Sequence, residues 1–137
     1  MISIDPEAEA RMRADAEAAY PLEACGLILG TPGKATESRL AGNLNTERAR
    51  DRYLMDPMDQ MRIEREAASK GLKVLGVWHS HPDHPSEPSE TDRMQAHEVW
   101  GKTQSWSYLI LEVAKGKVAS CRSWILENGK FYEEEIR

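Results

Sequence analysis

The chain lacks any apolar stretch long enough to cross a bilayer as a helix, which takes about 20 residues, so no membrane-spanning segment is expected. It lacks a basic excess: 18 Lys and Arg stand against 23 Asp and Glu, a net charge of −5. That balance leaves no electrostatic footprint for nucleic acid, and no basic run to hold an anionic membrane surface. Cysteine is scarce. Cys25 and Cys121 are the only two, and neither lies in a Cys-x-x-Cys pair. Two cysteines make no disulfide framework, so both are expected as buried thiols in a reducing compartment. The first residues, Met1-Ile2-Ser3-Ile4-Asp5-Pro6-Glu7, are acidic where a secretory leader is basic, and a cytoplasmic location is expected. Internal repeats, low-complexity tracts and interdomain linkers are absent as well.

What is present is a balanced chain of 137 residues, 40% hydrophobic and 30% charged. It is the size of one domain and can bury a core without staples. Asp5-Pro6-Glu7 starts a helix with a capping acid and a proline in the first turn, and Ala8, Met12, Ala16 and Ala19 recur at helical spacing up to Tyr20-Pro21. Cys25 to Gly30 reads as a buried strand, Thr31-Pro32-Gly33-Lys34 as a turn, and residues 35–41 as a returning strand. Arg52 to Met55 reads as a short strand. Asp56-Pro57 repeats the cap-then-proline signal for a helix to about Lys70, ended by Gly71. Leu72 to Trp78 is a buried strand, the three prolines between Pro82 and Pro88 mark a loop, and Ser89 opens a third helix. Strands follow at Trp106–Val113, Lys117–Leu126 and Lys130–Ile136, with turns at Lys115-Gly116 and Asn128-Gly129. The order predicts an α/β (α+β) fold: one mixed sheet flanked by helices, ending in an antiparallel meander.

Chemistry gathers after the Leu72–Trp78 strand. His79 and His81 are two residues apart, so in an extended chain both project to one face while Ser80 points away. Ser89 and Asp92 form a Ser-x-x-acid capping box, which by itself accounts for a helix start. The two readings are compatible, because a rigid cap places the Asp92 carboxylate one turn in, where it can face the imidazoles. Two imidazoles and one carboxylate suit a borderline metal such as zinc, and three protein ligands leave a fourth position open. A general base is also needed. Glu23 is a candidate, although its residue chemistry alone does not separate it from other acids.

These segments resemble the JAMM motif of the MPN-domain (JAB/MPN/PAD) metallopeptidases: a glutamate before a strand, then His-x-His, seven residues, Ser, two residues, Asp. Here the seven are Pro82 to Pro88, without a gap. Pro21-Leu22-Glu23-Ala24-Cys25-Gly26, Arg52 to Pro57, Gly76 to Pro82 and Pro88-Ser89-x-x-Asp92 resemble the compact bacterial branch over most of the chain. The resemblance implies a single MPN-like domain over residues 1–137, with one zinc held by His79, His81 and Asp92. Glu23 would deprotonate the attacking water and then protonate the leaving amine, and Ser89 would donate a hydrogen bond to the oxyanion. It implies as substrate the amide bond after the C-terminal Gly-Gly of a ubiquitin-like sulfur-carrier protein, releasing cysteine or another adduct. Such a tail fits strand addition beside a narrow cleft. The short chain has no room for the inserted segments by which larger relatives grip ubiquitin chains. Two alternatives stay open: a non-catalytic MPN-type scaffold, and a zinc peptidase acting on other small peptide or isopeptide substrates.

Other signals are set aside. His97-Glu98 begins a His-Glu-x-x-His pattern, but position 101 is glycine. Gly33-Lys34 lacks the Ser or Thr of a phosphate loop. His84 is expected to be solvated, the four tryptophans to pack in the core or at its edge, and Glu133-Glu134-Glu135 to form a solvated strand end.

Overall fold

The computed structural model describes residues 1–100 and 106–137. Among these, seven strands form one sheet: β1 (Ser3–Ile4), β2 (Cys25–Thr31), β3 (Lys34–Ala41), β4 (Lys73–Pro82), β5 (Ser107–Ala114), β6 (Lys117–Glu127) and β7 (Lys130–Glu134). Their spatial order is β1-β3-β2-β4-β5-β6-β7. β4 and β5 are parallel, as are β1 and β3, and the other pairs are antiparallel. This is the mixed α+β sheet that the element order predicts, with β5-β6-β7 as the meander. Both meander turns carry positive φ at their two central residues, 50° and 87° at Lys115-Gly116 and 51° and 76° at Asn128-Gly129. That is the backbone twist a two-residue hairpin requires.

Three helices cover the sheet: α1 (Pro6–Ala19), α2 (Pro57–Ser69) and α3 (Glu90–Trp100). Strand alternation sorts the core into two layers. Met12 and Ala16 of α1 pack on one face against Ile28, Trp78, Leu109 and Leu111. Ile63 and Ala67 of α2, with Ala96 and Trp100 of α3, pack on the other against Cys25, Leu27, Leu29 and Val77. Both acid-then-proline signals start helices, but they are used differently. The Asp56 carboxylate accepts the Met58 N–H at 2.9 Å. Asp5 makes no side-chain cap bond and sits 3.7 Å from Lys34 Nζ instead.

Several expectations need correction. Arg52–Met55 is not a strand; it makes a single bridge, Asn43 to Met55. Backbone bonds flank that bridge, from Leu44 N–H to the Leu54 carbonyl and from Asp56 N–H to the Gly42 carbonyl (2.8 Å each), and the Asn43 side chain adds to them, accepting from Leu54 N–H (2.9 Å) and donating to the carbonyls of Arg52 and Glu23 (3.2 Å each). β4 does not stop at Trp78 but runs through the histidines to Pro82. β7 stops at Glu134, and Ile136 instead bridges Ile2 in parallel. β1, two residues long, is too short to show a period. Its surroundings join the two edges of the sheet: Ile2 N–H donates to the Glu135 carbonyl (3.0 Å) and Arg137 N–H to the Ile2 carbonyl (2.8 Å). Glu134 is not solvated, because its carboxylate accepts from the Ser107 and Ser123 hydroxyls. Cys25 is buried as expected, but Cys121 is only half-buried. No helix among the described residues is long and apolar enough to cross a membrane.

Candidate metal and catalytic site

The site is built by the β2–β4 register. Gly26 pairs with Trp78 and Cys25 with His79. One step on, Ser80 N–H donates to the Ala24 carbonyl (3.0 Å), and Ala24 N–H donates to Ser80 Oγ (2.8 Å). Continuing that count sets Glu23 opposite His81, on the face that carries Cys25 and His79. The tight pairing depends on Gly26, where a Cβ would lie 2.2 Å from the Arg39 carbonyl oxygen and 2.4 Å from Trp78 Nε1.

Three candidate ligand atoms converge at the end of β4. His79 Nε2 and His81 Nε2 are 3.1 Å apart, and Asp92 Oδ2 stands 3.2 Å and 2.9 Å from them. The capping box forms as well: Asp92 N–H donates to Ser89 Oγ (3.0 Å), and Ser89 N–H donates to Asp92 Oδ2 (2.9 Å). One carboxylate oxygen therefore both closes the helix start and faces both imidazoles. His81 Nδ1–H donates to the Pro85 carbonyl (2.7 Å), which assigns the tautomer and turns a bare Nε2 toward Asp92. A bare nitrogen facing a carboxylate needs a cation or a proton between them. Ligand atoms arranged tetrahedrally around zinc at 2.0–2.1 Å stand about 3.3 Å from one another. The observed separations fit that arrangement, and the two-nitrogen, one-oxygen donor set fits zinc chemistry.

Charge is redistributed accordingly. Burial pushes His79 below its usual value, against the pull of Asp92. Burial also opposes charge on His81, but Asp92 and the Pro85 carbonyl outweigh it and raise this imidazole. Burial alone would lift the Asp92 carboxyl; the two histidines instead hold it far below the carboxylate range. Glu23 differs from all three. Burial lifts its carboxyl to about 8, with His81 pulling the other way. Its Oε1 is buried and has no hydrogen-bond partner among the described residues.

The neighbouring loop is fastened along its length. Asp83, at φ 56°, accepts from the Tyr20 hydroxyl (2.7 Å) and the Lys115 N–H (2.8 Å). The Ser86 and Ser120 hydroxyls share a hydrogen bond of 2.7 Å, and Trp124 Nε1–H donates to the Ser86 carbonyl (3.1 Å). Glu87 pairs with Arg122 at 3.0 Å. These ties hold Pro85 where its carbonyl meets His81.

Glu23, His81 and Ser89 line one cleft of about 430 Å³, together with Asp51, Arg52, His84 and Thr91. His84 is exposed there. Sequence reasoning did not find Tyr53, which is buried and stacks on His79 with ring centroids 4.5 Å apart. The alternating burial of Tyr53 and Met55 was visible only as strand periodicity. Nor did it find the Pro85 carbonyl, since a backbone acceptor leaves no residue-type signal. Burial pushes the Cys25 thiol up to about 12, which keeps it protonated. His97 is exposed on α3, and the Gly101 of the rejected His-Glu-x-x-His pattern lies outside the described residues.

The family profile described as prokaryotic homologs of the JAB domain (Prok-JAB) matches residues 5–127. No curated protein matches the chain. Among solved structures, a Desulfitobacterium hafniense protein is similar at 30% identity and a TM-score of 0.84, covering 100% of this chain and 92% of its own. A Salinibacter ruber protein is similar at 32% identity and a TM-score of 0.73, covering 98% and 90%. A structure described as a metalloprotease-like zinc site in the proteasome and signalosome shares the fold at 20% identity and a TM-score of 0.57, covering 100% and 97%.

Proposed function

The chain belongs to the prokaryotic JAB-domain family, and from that premise we propose that it is a zinc-dependent peptidase or isopeptidase of the JAMM type. The observation that carries the proposal is the convergence of His79, His81 and Asp92 within 3.2 Å of one another, beside the buried Glu23 carboxyl, whose Oε1 has no partner among the described residues. The relative whose description names a metalloprotease-like zinc site has the same fold, and in this chain that ligand set is the candidate place for such a site.

His79, His81 and Asp92 would hold the ion, with His81 oriented through Pro85 and His79 backed by Tyr53. Bound zinc supplies Lewis-acid polarisation of water and of the scissile carbonyl. Glu23 takes a proton from the attacking water and returns it to the leaving amine. The Glu23 carboxyl, buried and lining the cleft beside His81, is placed to exchange a proton with water there. Ser89 Oγ accepts the Asp92 N–H, so its own hydrogen is free to donate to the oxyanion.

The substrate we propose is a ubiquitin-like sulfur-carrier protein, cut after its C-terminal Gly-Gly to release cysteine or another adduct. Glycines let a backbone approach the buried ligands closely. The test is to incubate zinc-loaded protein with carriers extended beyond Gly-Gly and to weigh the products. A shortened carrier is expected; intact carriers throughout would defeat the assignment. A scaffold without chemistry needs neither the ligand set nor a buried acid beside it, and protein that binds no stoichiometric zinc would favour that reading.

A further inference from the structure

Arg52 lines the cleft together with Glu23 and His81. Its backbone is held at both ends. Arg52 N–H donates to the Arg48 carbonyl (2.8 Å), and the Arg52 carbonyl accepts from Asn43 Nδ2 (3.2 Å). The same Asn43 nitrogen donates to the Glu23 carbonyl, also at 3.2 Å, so the segment that carries Arg52 is tied directly to the one that carries Glu23. The next residue, Tyr53, turns inward to stack on His79, while Arg52 is exposed. The charges of the cleft are unevenly committed. Of its acids, Asp51 pairs with Arg48 (2.6 Å), Glu87 pairs with Arg122 (3.0 Å), and Glu23 is buried. Arg52 makes no ion pair among the described residues. In a chain of net charge −5, acids outnumber bases, so a base left over in the cleft is not explained by a shortage of partners.

We infer that Arg52 recognises a substrate carboxylate close to the cleaved bond and so determines specificity. The inference rests on the peptidase reading above. Water satisfies an exposed guanidinium in the free protein. A peptide that fills the cleft strips that water away, and a charge left dry without a partner is costly. A carboxylate on the peptide supplies the partner, and the planar guanidinium meets it with two parallel N–H donors. A peptide without one leaves the charge uncompensated, so discrimination comes from the poor substrate as much as from the good one. The carboxylate has two sources, the C-terminal group of a one-residue leaving amine or an acidic side chain before the glycines. Arg52 reads the same chemistry in both.

Three peptides test this with zinc-loaded protein: acetyl-Ser-Gly-Gly-Ala with a free C-terminal carboxylate, the same peptide ending in a carboxamide, and acetyl-Asp-Gly-Gly-Ala ending in a carboxamide. The peptide whose carboxylate meets Arg52 should show a KM about tenfold below that of the neutral one, the equivalent of one hydrogen bond to a charged group. A gain by the free acid identifies the leaving group as the source, and a gain by the aspartyl peptide identifies the acyl segment. Arg52→Gln should bring the favoured peptide back to the neutral KM with kcat kept, whereas Arg52→Lys, which retains the charge but not the fork, should keep part of the preference. Equal KM values in the unmodified protein, or a preference that survives in Arg52→Gln, would overturn the assignment. Arg52 is exposed, so the variants should melt with the unmodified protein. If no peptide is cleaved, the peptidase reading has failed, and calorimetric titration of the same peptides into zinc-loaded protein decides Arg52 alone. A carboxylate-bearing peptide should then bind about tenfold tighter than the neutral one, and Arg52→Gln should remove the difference. Equal affinities, or no binding by any of the three, would end the case for Arg52.

Discussion

Asp92 Oδ2 accepts the Ser89 N–H at 2.9 Å and faces two imidazole nitrogens within 3.2 Å. One atom thereby links the start of a helix to the ligand cluster, and the roles of single residues have to be separated by the choice of substitution. Ser89→Ala removes a cap, at about 1 kcal/mol of stability, and, on the proposed mechanism, an oxyanion donor, at roughly 10²–10³ in kcat. Ser89→Asp restores an acceptor to the cap but has no proton to give, so thermal melts should recover while turnover should not. Glu23→Gln should keep full zinc by metal analysis and lose roughly 10²–10⁴ in turnover. Glu23 also carries a pH signature in metal-free protein. Its folded-state value, about 8, lies above its ordinary 4.5, so the folded form holds the proton more tightly. That contribution is complete below 4.5 and is lost as the pH rises through about 8. Melts of metal-free protein should therefore fall more steeply over this window in the unmodified chain than in Glu23→Gln. Parallel curves would mean that Glu23 is not buried as described.

At the scale of elements, β4 and the loop after it set the site. The strand brings two histidines to one face, and the loop supplies a backbone acceptor to one of them. Asp83→Ala cuts the loop's ties to Tyr20 and Lys115, which loosens the Pro85 carbonyl against His81 while the Ser86 and Glu87 ties remain. Weakening such an outer partner costs about 10–100-fold in metal affinity, measurable by competition with a chelator, while strand content should persist. Much of this level was legible in the sequence. His-x-His, the proline-rich spacer and the Ser-x-x-Asp box are local patterns whose geometry follows from strand and helix periods. Tyr53 was not legible, because its partner His79 is distant in the chain and Asn43 helps to satisfy the intervening backbone where no strand forms. The extension of β4 through Pro82 was hidden because Pro82 and the prolines after it read as loop, whereas pairing with β5, and with β2 and Ala24 as far as Ser80, keeps the chain extended.

At the scale of the whole molecule, a metal that binds only the folded chain stabilises it by mass action. At a hundred times its dissociation constant the gain is about 2.7 kcal/mol, roughly 10 °C of melting temperature for a chain of this size. Chelation should lower the melt by that order, and the melt of His81→Ala should not move when zinc is added or removed. The fold class was legible from element order, because helices between strands and two hairpin signals leave few arrangements. The joining of the sheet's edges through Ile2 and Ile136 was not. A pairing between residues so far apart in sequence leaves no local pattern.

Tyr53 lies with one ring neighbour in the ligand cluster and another in the core, since it stacks on His79 and sits 6.3 Å from Trp100. Trp100 closes the helix whose first turn contains Asp92. An indole so placed acts as a built-in optical gauge. Filling or emptying the histidine cluster should change its ultraviolet emission, so occupancy can be titrated in unlabelled protein without any substrate in the cuvette.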